Sequence, residues 1–154
     1  MSLTILITGA NGQMGQCFRQ IAATFRQIPD SSSSSENQLP YPPINFVFKN
    51  RAELPIHRKD VIEEIIHSIQ PDYCINCAAY TAVDKAETER DEAMLINGIA
   101  PGILAEVCRT SQTRLVHIST DYVFNGKGTI PYKEDDPVDP VNWYGATKLE
   151  GEKR

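Results

Sequence analysis

The 154-residue chain has no apolar run approaching the roughly 18 residues needed to cross a bilayer, which argues against a membrane-spanning role. No basic residue precedes its first apolar stretch, MSLTILITGA, which argues against a secretory signal. It also lacks a long basic run. Fifteen cationic residues against twenty acidic ones leave a net charge of −5, so binding to nucleic acid or an anionic membrane through bulk charge is disfavoured. Cysteine is sparse, at Cys17, Cys74, Cys77 and Cys108. Cys74 and Cys77 form a C-x-x-C, but there is no second such pair, and His57, His67 and His117 are scattered, none with a partner at metal spacing. The pair lies in YCINCAAY, which reads as a buried strand, so the thiols are expected to be structural ones in a reducing cytoplasm, with no metal bound. No internal repeat is present. What remains, 41% hydrophobic and 23% charged residues, suits one globular domain with an adequate core.

Short apolar runs alternate with helical patterns. Thr4 to Thr8, Ile44 to Phe48, Tyr73 to Cys77 and Leu115 to Ser119 read as strands. Gln16 to Phe25 reads as a helix. Asp60 is placed to cap a second, whose Val61, Ile62, Ile65, Ile66 and Ile69 share one face. Asp91 to Arg109 reads as a third, kinked or split by Pro101. This alternation of near-continuously apolar strands with helices predicts an α/β fold: a doubly wound parallel sheet covered on both faces. Between Pro29 and Pro43, five consecutive serines and four prolines predict a flexible surface insertion with no assignable chemistry. Trp143 to Arg154 starts another helical pattern and the sequence stops inside it, so the chain reads as an N-terminal fragment of a longer alternating sheet.

Gly9, Gly12 and Gly15 form G-x-x-G-x-x-G directly after the first strand. Glycines there allow a tight turn, close approach of the main chain to a pyrophosphate, and tight helix–sheet packing, while the helix N-terminus offers free N–H groups to the anion. The sequence after the second strand, Lys49–Asn50–Arg51, carries no carboxylate to repel a ribose 2′-phosphate and offers Lys49 and Arg51 to pair with one. This favours NADP(H), with NAD(H) remaining open. Tyr144 and Lys148, one helical turn apart in YGATK, follow STDYVF, which sets Ser119 and Thr120 at the carboxyl edge of the sheet. A phenol next to an ammonium makes a better proton donor, and a threonine hydroxyl can hold a carbonyl oxygen as charge develops on it. The set suits carbonyl reduction.

Four blocks in order, GANGQMG, NCAAYTAVDKAE (Asn76 to Glu87), HISTDYVFNG (His117 to Gly126) and NWYGATKLEGE (Asn142 to Glu152), resemble the extended short-chain dehydrogenases, most nearly the dTDP-4-dehydrorhamnose reductases. The resemblance covers nearly the whole chain outside the serine–proline segment. It implies a Rossmann-type NAD(P)-binding fold over residues 1–154, truncated before the family's C-terminal strands and substrate-binding region, in which Gly9, Gly12, Gln13 and Met14 cradle the pyrophosphate and Ala78, Ala79 and Tyr80 line the cofactor. It further implies a catalytic trio of Thr120, Tyr144 and Lys148, with Tyr144 and Lys148 also contacting the cofactor, Lys148 at the nicotinamide ribose, and Thr81, Asp121 and Tyr122 near the sugar. The implied reaction reduces the 4-keto group of a dTDP-linked deoxysugar to give dTDP-L-rhamnose for cell-surface polysaccharide. Where the family carries L-D-I-x-D, this chain reads Leu54–Pro55–Ile56–His57–Arg58. The implied partner is a nucleotide-sugar substrate, not nucleic acid or membrane, and a homodimer stays open.

Two other functions remain open on the residues: an NAD-retaining nucleotide-sugar epimerase or dehydratase, and a non-catalytic regulatory subunit similar to that of methionine adenosyltransferase. Asp84, Lys85, Glu87 and Glu89 read as a solvated helix face, Tyr132 as part of a loop, and Trp143 equally as a packing residue or a stacking platform.

Overall fold

A computed structural model describes residues 2–26 and 43–154. The serine–proline insertion expected between Pro29 and Pro43 lies, apart from Pro43, outside the described residues. The elements are β1 (Leu3–Thr8), α1 (Gln13–Arg26), β2 (Ile44–Phe48), α2 (Lys59–Ile69), β3 (Tyr73–Asn76), the single turns α3 (Val83–Ala86) and α4 (Arg90–Ala93), a π-helical stretch (Met94–Ile99), α5 (Ala100–Thr110), β4 (Arg114–His117), a 3₁₀ turn (Asp121–Val123) and α6 (Trp143–Lys153).

The four strands form one sheet in the order β2-β1-β3-β4, every pairing parallel. Because side chains alternate along a strand, the register sorts them into rows across the sheet. Val47, Leu6, Cys74 and Leu115 form one such row and meet α2 and α5. There Ile62, Ile66, Leu104, Val107, Cys108 and Leu54 close over them as the main core. The opposite face carries Phe46, Phe48, Ile5 and Ile7; the Phe25 ring of α1 lies 6.2 Å from Phe46, and the Arg19 guanidinium sits 4.5 Å over Phe48. Helices thus lie on both faces, as the strand–helix alternation predicts. Coverage on the α1 face is nonetheless partial. Over β3 and β4, Val116 is 43% exposed, and Arg114 folds over the Tyr73 ring and donates to its hydroxyl.

Three local expectations change. Asp60 does not cap α2: the cap is Arg58, with no side-chain bond, and Asp60 sits in the first turn, where it suits the helix dipole and pairs with the Arg58 guanidinium. The first helix starts at Gln13 instead of Gln16, because the Gly12 carbonyl already accepts from the Gln16 N–H. The third helix is split ahead of Pro101, in the way its missing N–H dictates: the turn before it widens to π geometry, and α5 begins with proline in its first turn. That widened turn receives α6. A Cβ at Gly151 would lie 2.2 Å from the Asn97 carbonyl oxygen, so only glycine lets the two helices approach this closely.

Leu104, fully buried between α5 and the sheet, and the half-exposed Val116 give contrasting tests of this packing. Leu104→Ala is expected to cost about 2–5 kcal/mol in urea unfolding, and Val116→Ala less than about 1 kcal/mol.

Candidate active site

β1 lies between β2 and β3, so the chain leaves the sheet in opposite directions there and opens a crevice at the carboxyl edge, where open α/β sheets bind ligands. The glycine turn forms its floor. Gly9 adopts φ +61°, and a Cβ on it would come within 2.6 Å of the Ala78 nitrogen after β3, so a glycine is required on both counts. Gly12 and Gln13 open α1, and Gly15 is buried in its first turn. A cavity of about 390 Å³ gathers Gly9, Gly12, Gln13, Met14, Arg51, Ala78, Ala79, Tyr80 and Thr81. Thr81, expected near a sugar, thus shares the wall with the expected cofactor residues. Asn11, Cys77, Ile96 and the segment Leu54, Pro55, Ile56 and His57 complete the lining. Lys49 and Gly15 are not part of it.

The cations after β2 have partners that the local sequence does not suggest. Asn50 caps a turn by accepting from the Ala52 and Glu53 N–H groups, and Glu53 folds back to accept from the Asn50 N–H. This brings the Glu53 carboxylate to 3.9 Å from Lys49, while Glu92 of α4 pairs with Arg51 at 2.9 Å. The absence of a carboxylate immediately after the strand therefore does not leave the two cations unpaired.

One residue further along the core face, the apolar row becomes polar. Thr8, Asn76 and His117 are register neighbours across β1, β3 and β4. The Thr8 hydroxyl donates to Asn76 Oδ1 at 2.6 Å, Asn76 Nδ2 lies 3.0 Å from His117 Nδ1, and His117 Nε2 lies 3.4 Å from Lys148 Nζ. Lys148 also donates to the Ile118 carbonyl. Its side chain is buried, and loss of solvent brings its pKa down to about 8 against the pull of the Glu152 carboxylate. Burial, aided by the Lys148 charge, likewise brings His117 down to about 4.

The expected trio sits on two adjoining elements. Asn142 caps α6 by accepting from Gly145 N–H, which starts the helix that carries Tyr144 and Lys148 one turn apart. The 3₁₀ turn packs against it: Tyr122 meets the Tyr144 ring edge-on with centroids 5.8 Å apart, and Thr120 accepts from the Tyr122 N–H and donates to Asp121. Tyr144 and Lys148 of α6 and Thr120, Asp121 and Tyr122 of the turn belong to elements that pack on each other, and none of the five lines the cavity.

Asn97, which no sequence motif singled out, joins these halves. Its amide accepts from the Tyr80 N–H and donates to the Tyr80 carbonyl and to Thr147 of α6. The Asn-Gly dipeptide inside an otherwise helical pattern, four residues before a proline, is the sequence signal for it. The acidic segment is more than a solvated face: Glu87 accepts from the Trp143 N–H at the start of α6, and Glu89 accepts from the Tyr80 hydroxyl, a bond that pushes the Tyr80 pKa up to about 12. Trp143 packs, with the Arg90 guanidinium 4.5 Å over its ring. Tyr132 is tied down, stacked on Phe124 and donating to Asn125. The four cysteines form no disulfide; a hydrogen bond with Cys108, then burial, pushes the Cys74 thiol up, and burial raises Cys77. No helix among the described residues is long and apolar enough to cross a membrane.

A family model described as the RmlD substrate binding domain matches residues 3–154. A dTDP-4-dehydrorhamnose reductase of Burkholderia thailandensis is 39% identical over 151 residues, covering 97% of this chain and 44% of that protein. The crystal structure of a dTDP-4-dehydrorhamnose reductase from Clostridium acetobutylicum matches with a TM-score of 0.80 at 38% identity, over 98% of this chain and 48% of that one. That of a dTDP-4-dehydrorhamnose reductase from Bacillus anthracis, in complex with NADP, matches with a TM-score of 0.81 at 33% identity, over 99% and 49%. The chain spans about half the length of the relatives it matches.

The buried ammonium makes stability depend on pH in a stated direction. With the folded pKa near 8 and the unfolded one at 10.5, the unfolded chain holds a proton over that window that the fold has released, so stability rises as pH climbs from 8 to 10.5. Lys148→Met is expected to abolish this part of the rise and to gain about 1–3 kcal/mol at pH 7 in denaturant titrations.

Proposed function

This chain belongs to the RmlD substrate binding domain family, and on that premise we propose that it forms the dinucleotide-binding part of an NADPH-dependent reductase acting on the 4-keto group of a dTDP-linked deoxysugar, converting dTDP-4-dehydrorhamnose to dTDP-L-rhamnose. The observation that carries the reading is the burial of Lys148 at the carboxyl end of β4, one helical turn from Tyr144 and beside Thr120. Burial there costs an ammonium its water, and the Ile118 carbonyl and the Glu152 carboxylate offset only part of that cost; a site that needs a titratable charge next to a phenol accounts for it.

The residues fit the cofactor. Gly9 lacks the Cβ that would strike the Cys77–Ala78 peptide, which lets the turn lie against the chain leaving β3, and Gly12, Gln13 and Met14 at the start of α1 line the cavity, a setting for a pyrophosphate. Ala78, Ala79 and Tyr80 line the same cavity. Lys49 and Arg51 are assigned to the ribose 2′-phosphate, which must draw them from Glu53 and Glu92. The NADP bound to the Bacillus anthracis relative supports this choice of dinucleotide. When bound, the reduced nicotinamide supplies the hydride.

The chain's own groups do the rest. Tyr144 delivers a proton to the forming alkoxide, Lys148 favours the resulting phenolate and holds the ribose, and the Thr120 hydroxyl binds the carbonyl oxygen. Asp121 and Tyr122, on the turn that packs against Tyr144, and Thr81 at the cavity wall are assigned to the sugar. The free thiols suit a reducing cytoplasm.

The test is carried out on a protein that extends this chain to the length of its relatives. Mixed with NADPH and dTDP-4-dehydrorhamnose, it is expected to consume the reduced nicotinamide, and absence of consumption overturns the reading. Tyr144→Phe is expected to lower kcat about 10²–10⁴-fold and to weaken NADPH far less. Arg51→Ala is expected to weaken NADPH about tenfold and NADH little, as measured by fluorescence titration.

A further inference from the structure

The hydrogen bonds behind Lys148 have a fixed polarity, and its origin is a backbone group. The Ala78 N–H can only donate, so the Asn76 atom it meets at 3.2 Å is the carbonyl oxygen; the Thr8 hydroxyl donates to the same oxygen. The other end of the Asn76 amide is therefore its NH₂, which must donate to His117 Nδ1 at 3.0 Å. That nitrogen carries no proton. A neutral imidazole must then carry its proton on Nε2, the atom that faces Lys148 Nζ at 3.4 Å. Charging the ring would put a second proton on Nδ1, directly against the Asn76 NH₂.

An imidazole N–H and an ammonium are both donors. Their contact becomes a hydrogen bond only when Lys148 is the free amine, its lone pair toward Nε2–H and a hydrogen left for the Ile118 carbonyl. We infer that Asn76 and His117 are positioning residues that hold the imidazole in its Nε2–H tautomer and so favour the neutral amine of Lys148 over its ammonium. The other charged groups do not oppose His117 strongly. Glu152 of α6 pulls toward the ammonium but bonds Ser119. On the elements packed against α6, Asp121 accepts from Thr120, Tyr122 packs on the Tyr144 ring, Arg90 covers Trp143, and Asp84 and Lys85 are exposed. Burial lowers the Lys148 pKa by itself, and the imidazole N–H acts in the same direction. Its catalytic consequence rests on the reductase reading: Lys148 would titrate near working pH, so the help it gives Tyr144 would be set from behind by Asn76 and His117.

The tautomer is measured directly on this chain, isotopically labelled, by long-range ¹H–¹⁵N correlation of the imidazole rings. His117 is expected to be protonated on Nε2 alone at neutral pH and to stay neutral well below the range of an ordinary imidazole. A proton on Nδ1, or an imidazolium at neutral pH, overturns the inference without any variant. Competitive acetylation followed by mass spectrometry reports the Lys148 titration, expected near pH 8. Asn76→Asp reverses the polarity, because a carboxylate accepts from both Ala78 N–H and His117 Nδ1–H and leaves Nε2 to accept from the ammonium. Lys148 is then expected to titrate at least one unit higher, about a tenfold change in proton affinity, and an unmoved titration in folded Asn76→Asp also overturns the inference. Failure here with NADPH consumption intact removes only the proton-setting role. The expected tautomer in a protein that consumes no NADPH removes only the reductase reading.

Discussion

Burying one ammonium at the carboxyl edge of a parallel sheet is the constraint on which the rest of this structure turns. Lys148 is 2% exposed, and a cation moved out of water that far must be given partners or lose its proton. The fold gives it one acceptor, the Ile118 carbonyl, and sets the His117 Nε2–H against it, with its own helix α6 closing over the strand ends. The same sheet face that carries Val47, Leu6, Cys74 and Leu115 under α2 and α5 carries Thr8, Asn76 and His117 one step further on. The polar row is satisfied internally: Asn76 and Thr8 also receive the Ala78 N–H at the point where the chain turns to line the cavity. Core and site are thus consecutive rows of one register.

Enclosure by α6 in turn depends on two close approaches. Gly151 rests on the Asn97 carbonyl and Gly145 on the carbonyl of Tyr122, contacts that no side chain would permit. The first accompanies the widened turn ahead of Pro101, from which the Asn97 amide reaches both the N–H and the carbonyl of Tyr80 and the Thr147 hydroxyl. A backbone irregularity in one helix therefore fixes the wall of the crevice and the seat of the next helix together. Glu87, bonded to the first N–H of α6, and Glu89, bonded to the Tyr80 hydroxyl, tie the same two features from the other side.

How much of this was legible varies with the range of the interaction. The four strands, the glycine turn and the Tyr–Lys spacing are local patterns, and period, β-branching and i,i+4 geometry report them faithfully. The cap of α2 was misread because Asp60 is a good cap in isolation, yet Arg58 two residues before it offers a bidentate partner instead. Glu87 reads as a solvated charge, and Glu53 and Glu92 carry no local signal, because their partners are the N–H of a helix fifty-six residues away, a folded-back turn and a cation on a separate segment. Partial coverage of the sheet at Val116 was invisible for a similar reason: apolar content shows that a strand can be covered, not that a helix lies over it.

By itself, the sequence determined the parallel α/β arrangement, the phosphate turn and the face of α6 that carries Tyr144 and Lys148, since each depends on residues within a turn or two of one another. Only the tertiary structure decided which protons those groups hold. His117 is one scattered histidine until the register places it between Asn76 and Lys148, and proton affinity follows from burial and from the direction of neighbouring dipoles, quantities that exist only once distant strands have met.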